Sequence, residues 1–329
     1  MTTICVDAMG GDERPEVVLQ GIAAALAADD DLEVLVAGNA DVVEPFCATT
    51  SRAKALVSTE VIEMGEHPAE AVRMKRDSSI VRGCKAVRAG DADGFFSAGS
   101  TGAILTAGTL HVGRVKGIGR PALACAMPGA NGHETVMLDI GANADCRPEM
   151  IVQFARMGRA YSTILFGIAE PRVALLSNGT EDAKGSEATI AAHKALAAAG
   201  CGFVGNCEGC DLLTGEYDVI VCDGFTGNVA LKTVEGTAKY LLGCVKKAAG
   251  SSKKVGVGAL LLKPALLGVR GALSGDYYGG AVLLGLKAPV LVGHGATSVT
   301  AIKNGTLAAA RVARGGLSAR IAEACAKVG

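Results

Sequence analysis

Aromatic side chains are scarce in this sequence of 329 residues. It contains no tryptophan, and Phe, Trp and Tyr together make up 4% of the chain. Proteins that hold single-stranded nucleic acid stack its bases on aromatic rings, so this composition argues against a nucleic-acid partner. Charged residues make up only 20%, whereas 50% of residues are hydrophobic. A chain this apolar can bury a sizeable core, which excludes intrinsic disorder.

Hydrophobic runs long enough to cross a bilayer are also lacking. The longest uncharged stretch, Gly94–Gly113, carries five glycines together with hydroxyl side chains and His111, and is a poor membrane span. The first residues, MTTICVDAMGGDERP, show neither the basic flank nor the apolar core of a secretory signal. Eleven cysteines, an odd number, are scattered from Cys5 to Cys325. We therefore expect a soluble cytoplasmic protein with free thiols.

Several motifs for catalysis and cofactor binding are absent. There is no GxxxxGK[ST] nucleotide loop and no GxSxG nucleophile elbow. Gly117–Ala122 imitates the dinucleotide pattern GxGxxA, but no strand precedes it and Pro121 disfavours a helix start there. The CxxC at Cys207–Cys210 has no second pair at zinc spacing, and the five histidines are dispersed. The sequence therefore predicts no metal site and no nucleotide cofactor of these classes.

The net charge of −1 hides an asymmetry along the chain. Residues 1–235 hold 31 acidic and 19 basic residues, a net charge of −12, whereas residues 236–329 hold 13 basic and 2 acidic residues, a net charge of +11. A basic segment of this kind favours an acidic partner or an anionic surface. The alternative is that the basic segment folds against the acidic half, so that the charges mix on one surface.

Short apolar segments alternate with helical patterns, which predicts βαβ units and a mostly parallel sheet. We expect a single α/β domain over residues 1–329 with a basic amphipathic helical appendage at residues 236–274. Strands are predicted at Ile4–Ala8, Glu33–Ala37, Gly94–Ser97, Ala122–Met127, Thr135–Asp139, Arg172–Leu176, Phe203–Asn206, Val219–Cys222 and Pro289–Val292. Helices are predicted at Glu16–Ala28, Ser79–Arg88, Gly102–His111, Glu149–Phe166, Glu187–Ala199, Asn228–Lys247 and Ser298–Arg314.

The appendage includes the segment Gly250–Leu273, which is both apolar and basic. A helical wheel places an apolar stripe on one face and Lys263 with Arg270 on another, and Pro264 is expected to divide the segment into two short helices. Such a hairpin can lie on an anionic membrane, dock an acidic protein or pack as a dimer interface. The apolar stripe consists of Val255, Ala259, Leu262, Leu266 and Val269.

Glycine-rich turns follow several of the predicted strands. Asp7–Asp12 (DAMGGD) and Ser97–Ala103 (SAGSTGA) each join a strand to a helix, so their backbone N–H groups can surround an anion. In an open parallel sheet such turns meet beyond the carboxyl ends of the strands, and together they predict phosphate binding. Four further polar or glycine-rich segments are Leu138–Asn143, Ser177–Glu187, Asp223–Gly236 and Tyr278–Leu286.

These segments, in this order, resemble the acyl-carrier-protein:phosphate acyltransferases of bacterial glycerolipid synthesis. The resemblance runs from Asp7 to about Thr297, and DGFTGNVALKTVEG is its most specific tract. The sequence departs from the family pattern at Ser100, Cys210 and Val282, where Asn, Arg and Pro are usual. The tracts that carry the resemblance are Asp7–Asp12, Lys75–Ser79, Ser97–Ala103, Arg120–Ala122, Leu138–Asn143, Gly179–Gly185, Asp223–Gly236 and Tyr278–Leu286.

The resemblance implies transfer of a long-chain acyl group from acyl carrier protein to inorganic phosphate, in a Rossmann-like α/β/α fold similar to phosphotransacetylases and isocitrate-dehydrogenase-like enzymes. It also implies a homodimer in the cytoplasm, loosely attached to the membrane, that supplies a membrane glycerol-3-phosphate acyltransferase. The thioester is already activated and phosphate is already anionic, so the reaction needs positioned dipoles and no cofactor.

With this reaction in view, roles can be assigned to residues of the turns. Lys184 would neutralise phosphate or the oxyanion, oriented by Thr180 and Asp182. Asp7 or Asp12 would act as base or would position phosphate; each carboxylate can alternatively be a helix cap or form a structural hydrogen bond. Contact with the membrane or a dimer partner is expected at Val255, Leu262, Leu266 and Val269. Binding of phosphate and substrate is expected at Gly10, Gly11, Ser97, Gly99, Ser100, Thr101, Gly102, Asn143, Asp223, Thr226, Asn228 and His294.

Three other functions remain open at this point. A short-chain phosphotransacetylase would use coenzyme A as the acyl carrier. An NAD-dependent dehydrogenase of the isocitrate type is disfavoured by the missing dinucleotide motif. A non-catalytic scaffold recruited to membranes would depend on Gly250–Leu273 and form no acyl phosphate.

Overall fold

A computed structural model describes residues 1–250, 253–273, 277–293 and 298–326. The strands of this part are β1 (Thr2–Asp7), β2 (Leu32–Gly38), β3 (Ala53–Val57), β4 (Gly94–Ser97), β5 (Ala122–Met127), β6 (Thr135–Leu138), β7 (Val173–Leu176), β8 (Phe203–Cys207), β9 (Val219–Val221), β10 (Ala281–Leu284) and β11 (Val290–Val292). Its helices are α1 (Glu16–Ala28), α2 (Ala40–Thr49), α3 (Pro68–Met74), α4 (Ser79–Ala89), α5 (Thr101–Ala107), α6 (Pro148–Phe166), α7 (Glu187–Ala198), α8 (Gly224–Ala249), α9 (Lys253–Leu273), α10 (Val299–Arg314) and α11 (Leu317–Ala326).

The strands form one sheet in the order β3-β2-β1-β4-β11-β10-β5-β6-β9-β7-β8. Most neighbours are parallel, but β10 is antiparallel to both β11 and β5, and β5 is antiparallel to β6. The block β3-β2-β1-β4-β11 therefore runs in one direction and the block β6-β9-β7-β8 in the other. The carboxyl ends of the two blocks lie at opposite edges of the sheet, which the sequence did not predict.

Helices cover both faces of this sheet, and strand residues alternate between two cores. Ile4 and Val6 of β1 pack into the core formed with α1, α6, α7, α10 and α11, whereas Cys5 faces the core formed with α3, α4 and α5. This alternation is the period of two expected of a strand with both faces buried. The predicted α/β/α architecture with a mostly parallel sheet is therefore confirmed.

All nine predicted strands and the predicted helices are present; β4, β5 and α1 match their predicted ranges, and the ends of the others are shifted by a few residues. The predictions omitted β3, β10, α2, α3 and α11. Strand β3 is half-exposed and lacks a buried apolar run, and Pro68 is the first residue of the seven-residue helix α3. The tract Tyr278–Leu286 was interpreted as a turn because of its three glycines, but four of its residues form β10.

Helices α8 and α9 pack against each other as a hairpin. The expected break at Pro264 is wrong, because α9 continues through this residue. Proline removes one backbone N–H from the helix, and the carbonyl left without this donor, that of the exposed Leu260, can bond to water instead. Helix α8 also begins at Gly224 rather than Asn228.

The predicted contact residues of the hairpin are largely exposed. Val255 and Leu262 are 43% and 59% exposed and Leu266 is half-buried, while the side chain of Val269 lies outside the described residues. In the parts of the chain given above, no helix is both long and apolar enough to cross a membrane. The assignment of one domain with an appendage at residues 236–274 stays a prediction.

Candidate functional site

Two buried side chains meet at the carboxyl ends of the neighbouring parallel strands β1 and β4. Asp7 ends β1 and Ser97 ends β4. The Ser97 hydroxyl donates to Asp7 Oδ2 at 2.6 Å and accepts the Gly99 N–H at 3.0 Å. The Met9 N–H donates to Asp7 Oδ1 at 2.9 Å, so both carboxylate oxygens are held in fixed positions.

Glycine at position 10 is required by the close approach of these groups. A Cβ there would lie 2.7 Å from the Gly99 nitrogen, 2.9 Å from Asp7 Oδ2 and 3.0 Å from Ser97 Oγ. The next residue, Gly11, has a φ of 100°, which L side chains rarely adopt. The two glycine turns predicted from the sequence therefore pack against each other.

The N-termini of α4 and α5 lie beside this pair of side chains. The hydroxyl of Ser79, the first residue of α4, bonds to Asp7, and Ser100 precedes the first residue of α5. Neither Ser78 nor Ser100 caps its helix with its side chain. First-turn N–H groups have no partner within their own helix, and they attract anions. The arrangement can therefore hold an oxyanion beside the Asp7 carboxylate.

The carboxyl group of Asp7 is tuned by opposing effects. Burial raises its pKa, because the charged form is desolvated. The hydrogen bonds from Ser97, Ser79 and the Met9 N–H, together with the charge of Arg14, act in the opposite direction. The net pKa is above the usual value of an aspartate, and the direction of this shift makes Asp7 a better proton acceptor than an exposed aspartate.

A second buried carboxylate organises the loop after β6. Asp139 Oδ1 accepts the N–H groups of Leu123, Gly141 and Ala142 at 3.0, 3.2 and 3.0 Å. Its Oδ2 accepts the N–H and the side-chain amide of Asn143 at 2.7 and 2.8 Å. Burial raises the pKa of Asp139, and these donors oppose the shift.

The N-terminus of α8 closes over the same loop. Asp223 accepts the N–H and the hydroxyl of Thr226, both at 2.8 Å, and so caps the helix. The Gly224 N–H donates to the Asn143 carbonyl at 2.7 Å, and the Asn228 amide donates to the Ile140 carbonyl at 3.2 Å. Of the predicted site residues, Asp223 and Thr226 therefore fix the start of α8, and Asn228 bonds directly to the loop that carries Asn143.

A cavity of about 660 Å³ lies between α3, α5 and this loop. Thr106 and Thr109, one and two turns after the N-terminus of α5, line it on one side, and Asn143 lines it on another. Its lining includes four cationic side chains and no carboxylate, so the cavity favours anionic ligands. The cationic side chains are Arg73, Arg76, Lys85 and Arg120.

The remaining predicted residues lie apart from this cavity. Thr180, Asp182 and Lys184 are exposed in the loop after β7, where Asp182 Oδ1 lies 3.4 Å from Nε2 of the buried His193. Asp12 is exposed and does not line the cavity. His294 lies outside the described residues.

The sequence interpretation missed several residues of this site. Arg76, Ser79, Arg120 and Asp139 stand in tracts that carry the family resemblance, but no role was given to them. Arg73 had no signal, because helix α3 was itself not predicted. In the described ranges, no group of three or more His, Cys, Asp or Glu side chains is placed to hold a metal ion.

Replacing Asp139 by Asn should lower the free energy of unfolding by about 2 kcal/mol, because an amide group turns donors toward backbone N–H groups that need an acceptor. Asp223→Asn is the matched control, since Asn caps helices as well as Asp and should cost less than about 0.5 kcal/mol. Urea unfolding of both variants measures the difference. Equal losses would contradict the central place of Asp139 in this loop.

Comparison with known proteins identifies the family. The family model described as "Fatty acid synthesis protein" matches residues 2–320. A phosphate acyltransferase of Levilactobacillus brevis is 49% identical over 306 residues, covering 92% of this chain and 89% of that protein. The phosphate acyltransferase of Bacillus pumilus is 44% identical over 299 residues, covering 91% of this chain and 90% of that protein.

Solved structures give the same fold at much lower identity. A phosphotransacetylase from Streptococcus pyogenes superimposes with a TM-score of 0.60 at 18% identity, covering 94% of this chain and 93% of that one. The EutD phosphotransacetylase from Staphylococcus aureus gives 0.61 at 19% identity, covering 95% and 94%. From the family model and the curated relatives, we conclude that the chain belongs to the phosphate acyltransferase family and is an acyltransferase.

Proposed function

We propose that this chain transfers a long-chain acyl group from acyl carrier protein to inorganic phosphate, giving acyl phosphate for phospholipid synthesis. The name of the curated relatives supports phosphate as the acceptor. The observation that carries the proposal is the buried Asp7–Ser97 pair, which lies beside two helix N-termini without side-chain caps. The basic cavity along α5 provides room for the second substrate.

The reaction needs positioning more than it needs a nucleophile from the protein. A phosphate oxygen attacks the thioester carbon, the carbonyl oxygen becomes an oxyanion, and collapse of this intermediate expels the thiolate. The first-turn N–H groups of α4 and α5 hold phosphate. The proton of the attacking phosphate passes through the Ser97 hydroxyl to Asp7, and Asp7 then gives a proton to the leaving thiolate. Cationic side chains of the cavity stabilise the oxyanion.

The cavity suits the prosthetic arm of an acyl carrier protein. Leu105, Leu110 and Val72 contribute apolar surface beside the four cations, which matches a chain that carries a phosphodiester and ends in a thioester. Carrier proteins are acidic, so residues 236–329, with their net charge of +11, provide a docking surface of opposite sign.

The α8–α9 hairpin offers a surface for the two remaining proposed partners, a second copy of the chain and the membrane. Its exposed apolar side chains are suited to a dimer partner, to lipid or to both, and they would bring acyl phosphate close to a membrane glycerol-3-phosphate acyltransferase. We therefore infer a cytoplasmic homodimer that associates peripherally with the membrane. The large apolar side chains of the hairpin that are exposed by 57% or more are Phe225, Tyr240, Leu241, Val257, Leu260, Leu261 and Leu262.

The donor assay tests the proposal directly. Palmitoyl carrier protein, palmitoyl-coenzyme A and acetyl-coenzyme A are offered to the purified protein with and without phosphate. We expect release of free carrier protein that requires phosphate, and formation of acyl phosphate. Turnover of acetyl-coenzyme A with an inert carrier-protein donor would instead support the short-chain phosphotransacetylase. No turnover with any donor would favour the non-catalytic scaffold.

Ser97→Ala should lower kcat/KM at neutral pH at least about tenfold and move the acidic limb of its pH profile to higher pH. The hydroxyl favours the ionised form of Asp7, so its loss raises the pKa of a carboxyl that must be deprotonated to accept a proton. Ser162→Ala, at a buried serine of α6 whose Oγ has no partner in the described residues, is the control and should keep the wild-type profile. An unshifted limb in Ser97→Ala would remove Asp7 from the proton transfer.

Lys184→Ala should reduce turnover at least about tenfold, if the exposed loop after β7 contacts the transition state when substrate binds. Lys194→Ala removes the same charge from an exposed position of α7 and should leave turnover unchanged. Single-turnover rates of both variants, with the melting temperature as a check on folding, make the comparison. Wild-type rates in Lys184→Ala would exclude this lysine from the mechanism.

Replacing Leu261 and Leu262 together by Glu should abolish sedimentation with anionic liposomes, because both leucines are exposed and a carboxylate opposes insertion and meets like charge. Leu266 is left intact, since it is half-buried. Val204→Glu places a carboxylate at a residue of β8 that is 53% exposed and lies outside the hairpin. As the control, it should keep the sedimentation of the wild type. Sedimentation retained by the double variant would reject membrane contact through the hairpin.

A further inference from the structure

A second cavity lies on the face of the sheet opposite α5. It occupies about 560 Å³ between the C-terminal half of α6, the segments that precede β7 and β8, and helix α11. This region is at the amino ends of β7 and β8, whereas the loop with Lys184 follows the carboxyl end of β7. We call it the arginine cavity, after Arg156, Arg159 and Arg320, which line it.

These three arginines lack carboxylate partners in the described residues. Arg156 donates only a long bond of 3.5 Å to the Ala199 carbonyl, and Arg320 donates to the Gly315 carbonyl at 3.1 Å. The Nε of Arg159 is buried and has no hydrogen-bond partner in the described part of the chain. Burying a guanidinium nitrogen without an acceptor is costly, so an anion that accepts a hydrogen bond from this Nε would bind favourably here.

The backbone is shaped to fit the side chain of Arg159. Gly202 has a φ of 71°, and a Cβ there would come 3.2 Å from both Cζ and Nε of Arg159. Burial raises the pKa of the Cys201 thiol, and the charges of Arg156 and Arg159 oppose the shift, so both guanidinium groups lie near this residue. Arg156 and Arg159 therefore lie together at the wall of the cavity that contains Cys201.

We propose that the arginine cavity binds a small organic phosphate monoester. Three arginines and the exposed Glu323 give the lining a net charge of +2, which is opposite in sign and similar in size to the charge of about −2 that a phosphate monoester carries near neutral pH. Guanidinium groups bind phosphate oxygens in pairs, which satisfies the buried Nε of Arg159. The volume exceeds the needs of a phosphate group alone, and Ala160, Pro171 and Ala324 offer apolar surface to an organic remainder.

This cavity is separate from the cleft of the proposed reaction but joined to it by one helix. Helix α6 starts at Pro148, five residues after Asn143, and Arg156 and Arg159 lie in its third and fourth turns. The proposal concerns binding in the arginine cavity and does not depend on the acyl donor. It would survive if the chain proved to use coenzyme A.

Calorimetric titration of the full chain with phenyl phosphate tests the proposal. We expect Arg159→Gln to weaken one binding site at least tenfold, and Arg320→Gln, a change at an exposed residue that leaves the core intact, to weaken the same site at least threefold. Lys194→Gln removes one charge from the exposed side of α7 and should bind as the wild type does. Inorganic phosphate should bind this site at least threefold more weakly than phenyl phosphate.

Wild-type affinity and stoichiometry in both arginine variants would overturn the proposal, as would the absence of a site that depends on them. Equal affinity for inorganic phosphate and phenyl phosphate at this site would overturn the assignment of an organic ligand. If Arg159→Gln does not fold, Arg320→Gln decides the result, because its side chain is exposed. Hydrogen exchange should also slow in residues 317–326 when phenyl phosphate is added, and unchanged exchange there would contradict binding against α11.

Discussion

The reversal of strand direction in the middle of the sheet determines where chemistry can take place. Because β10 is antiparallel to both of its neighbours and β5 is antiparallel to β6, the loops after β1 and β4 open at one edge and those after β6, β7 and β9 at the other. A substrate that contacts Ser97 and Asn143 must therefore lie across a face of the sheet. Helix α5 follows this path, since Ser97 and Ser100 stand at its start and the cavity lies along its side.

Two buried carboxylates stabilise the two ends of that path in different ways. Asp7 accepts two hydroxyl groups and one backbone N–H, which leaves helix N-termini free beside it. Asp139 accepts four backbone N–H groups and an amide, and so fixes the loop around itself. Backbone N–H groups only donate, so Asp139 serves to hold the loop, whereas the hydroxyl of Ser97 can both donate to Asp7 and accept a proton from a ligand. The surroundings of each carboxylate thus separate the candidate base from the scaffold.

The local parts of this organisation could be predicted from the sequence, and the non-local parts could not. Gly94–Ser97 and Ala122–Met127 match β4 and β5 in full, because short buried apolar runs bounded by turns are typical of central strands. The packing of Gly10 against Gly99 follows from two glycine turns after neighbouring strands. No local signal indicates that β6 runs opposite to β4, however, so the sequence prediction brought every turn to one edge. Lys184 and Asp182 were grouped with Ser97 through the family resemblance, and nothing in the sequence indicates that their loop follows a strand of the opposite direction.

Some basic side chains in the C-terminal part of the chain form ion pairs with described residues, and others do not. Arg314 Nη1 of α10 lies 2.7 Å from Asp29 Oδ2, so part of the basic segment, residues 236–329, pairs with the acidic half of the chain. Further along the hairpin, Lys239, Lys246, Lys247 and Lys263 are exposed and form no ion pair with the described residues. These lysines flank the exposed apolar side chains of α8 and α9. The proposed contact with an anionic membrane requires both kinds of group, because charge attracts the hairpin to the membrane surface and burial of apolar side chains retains it there.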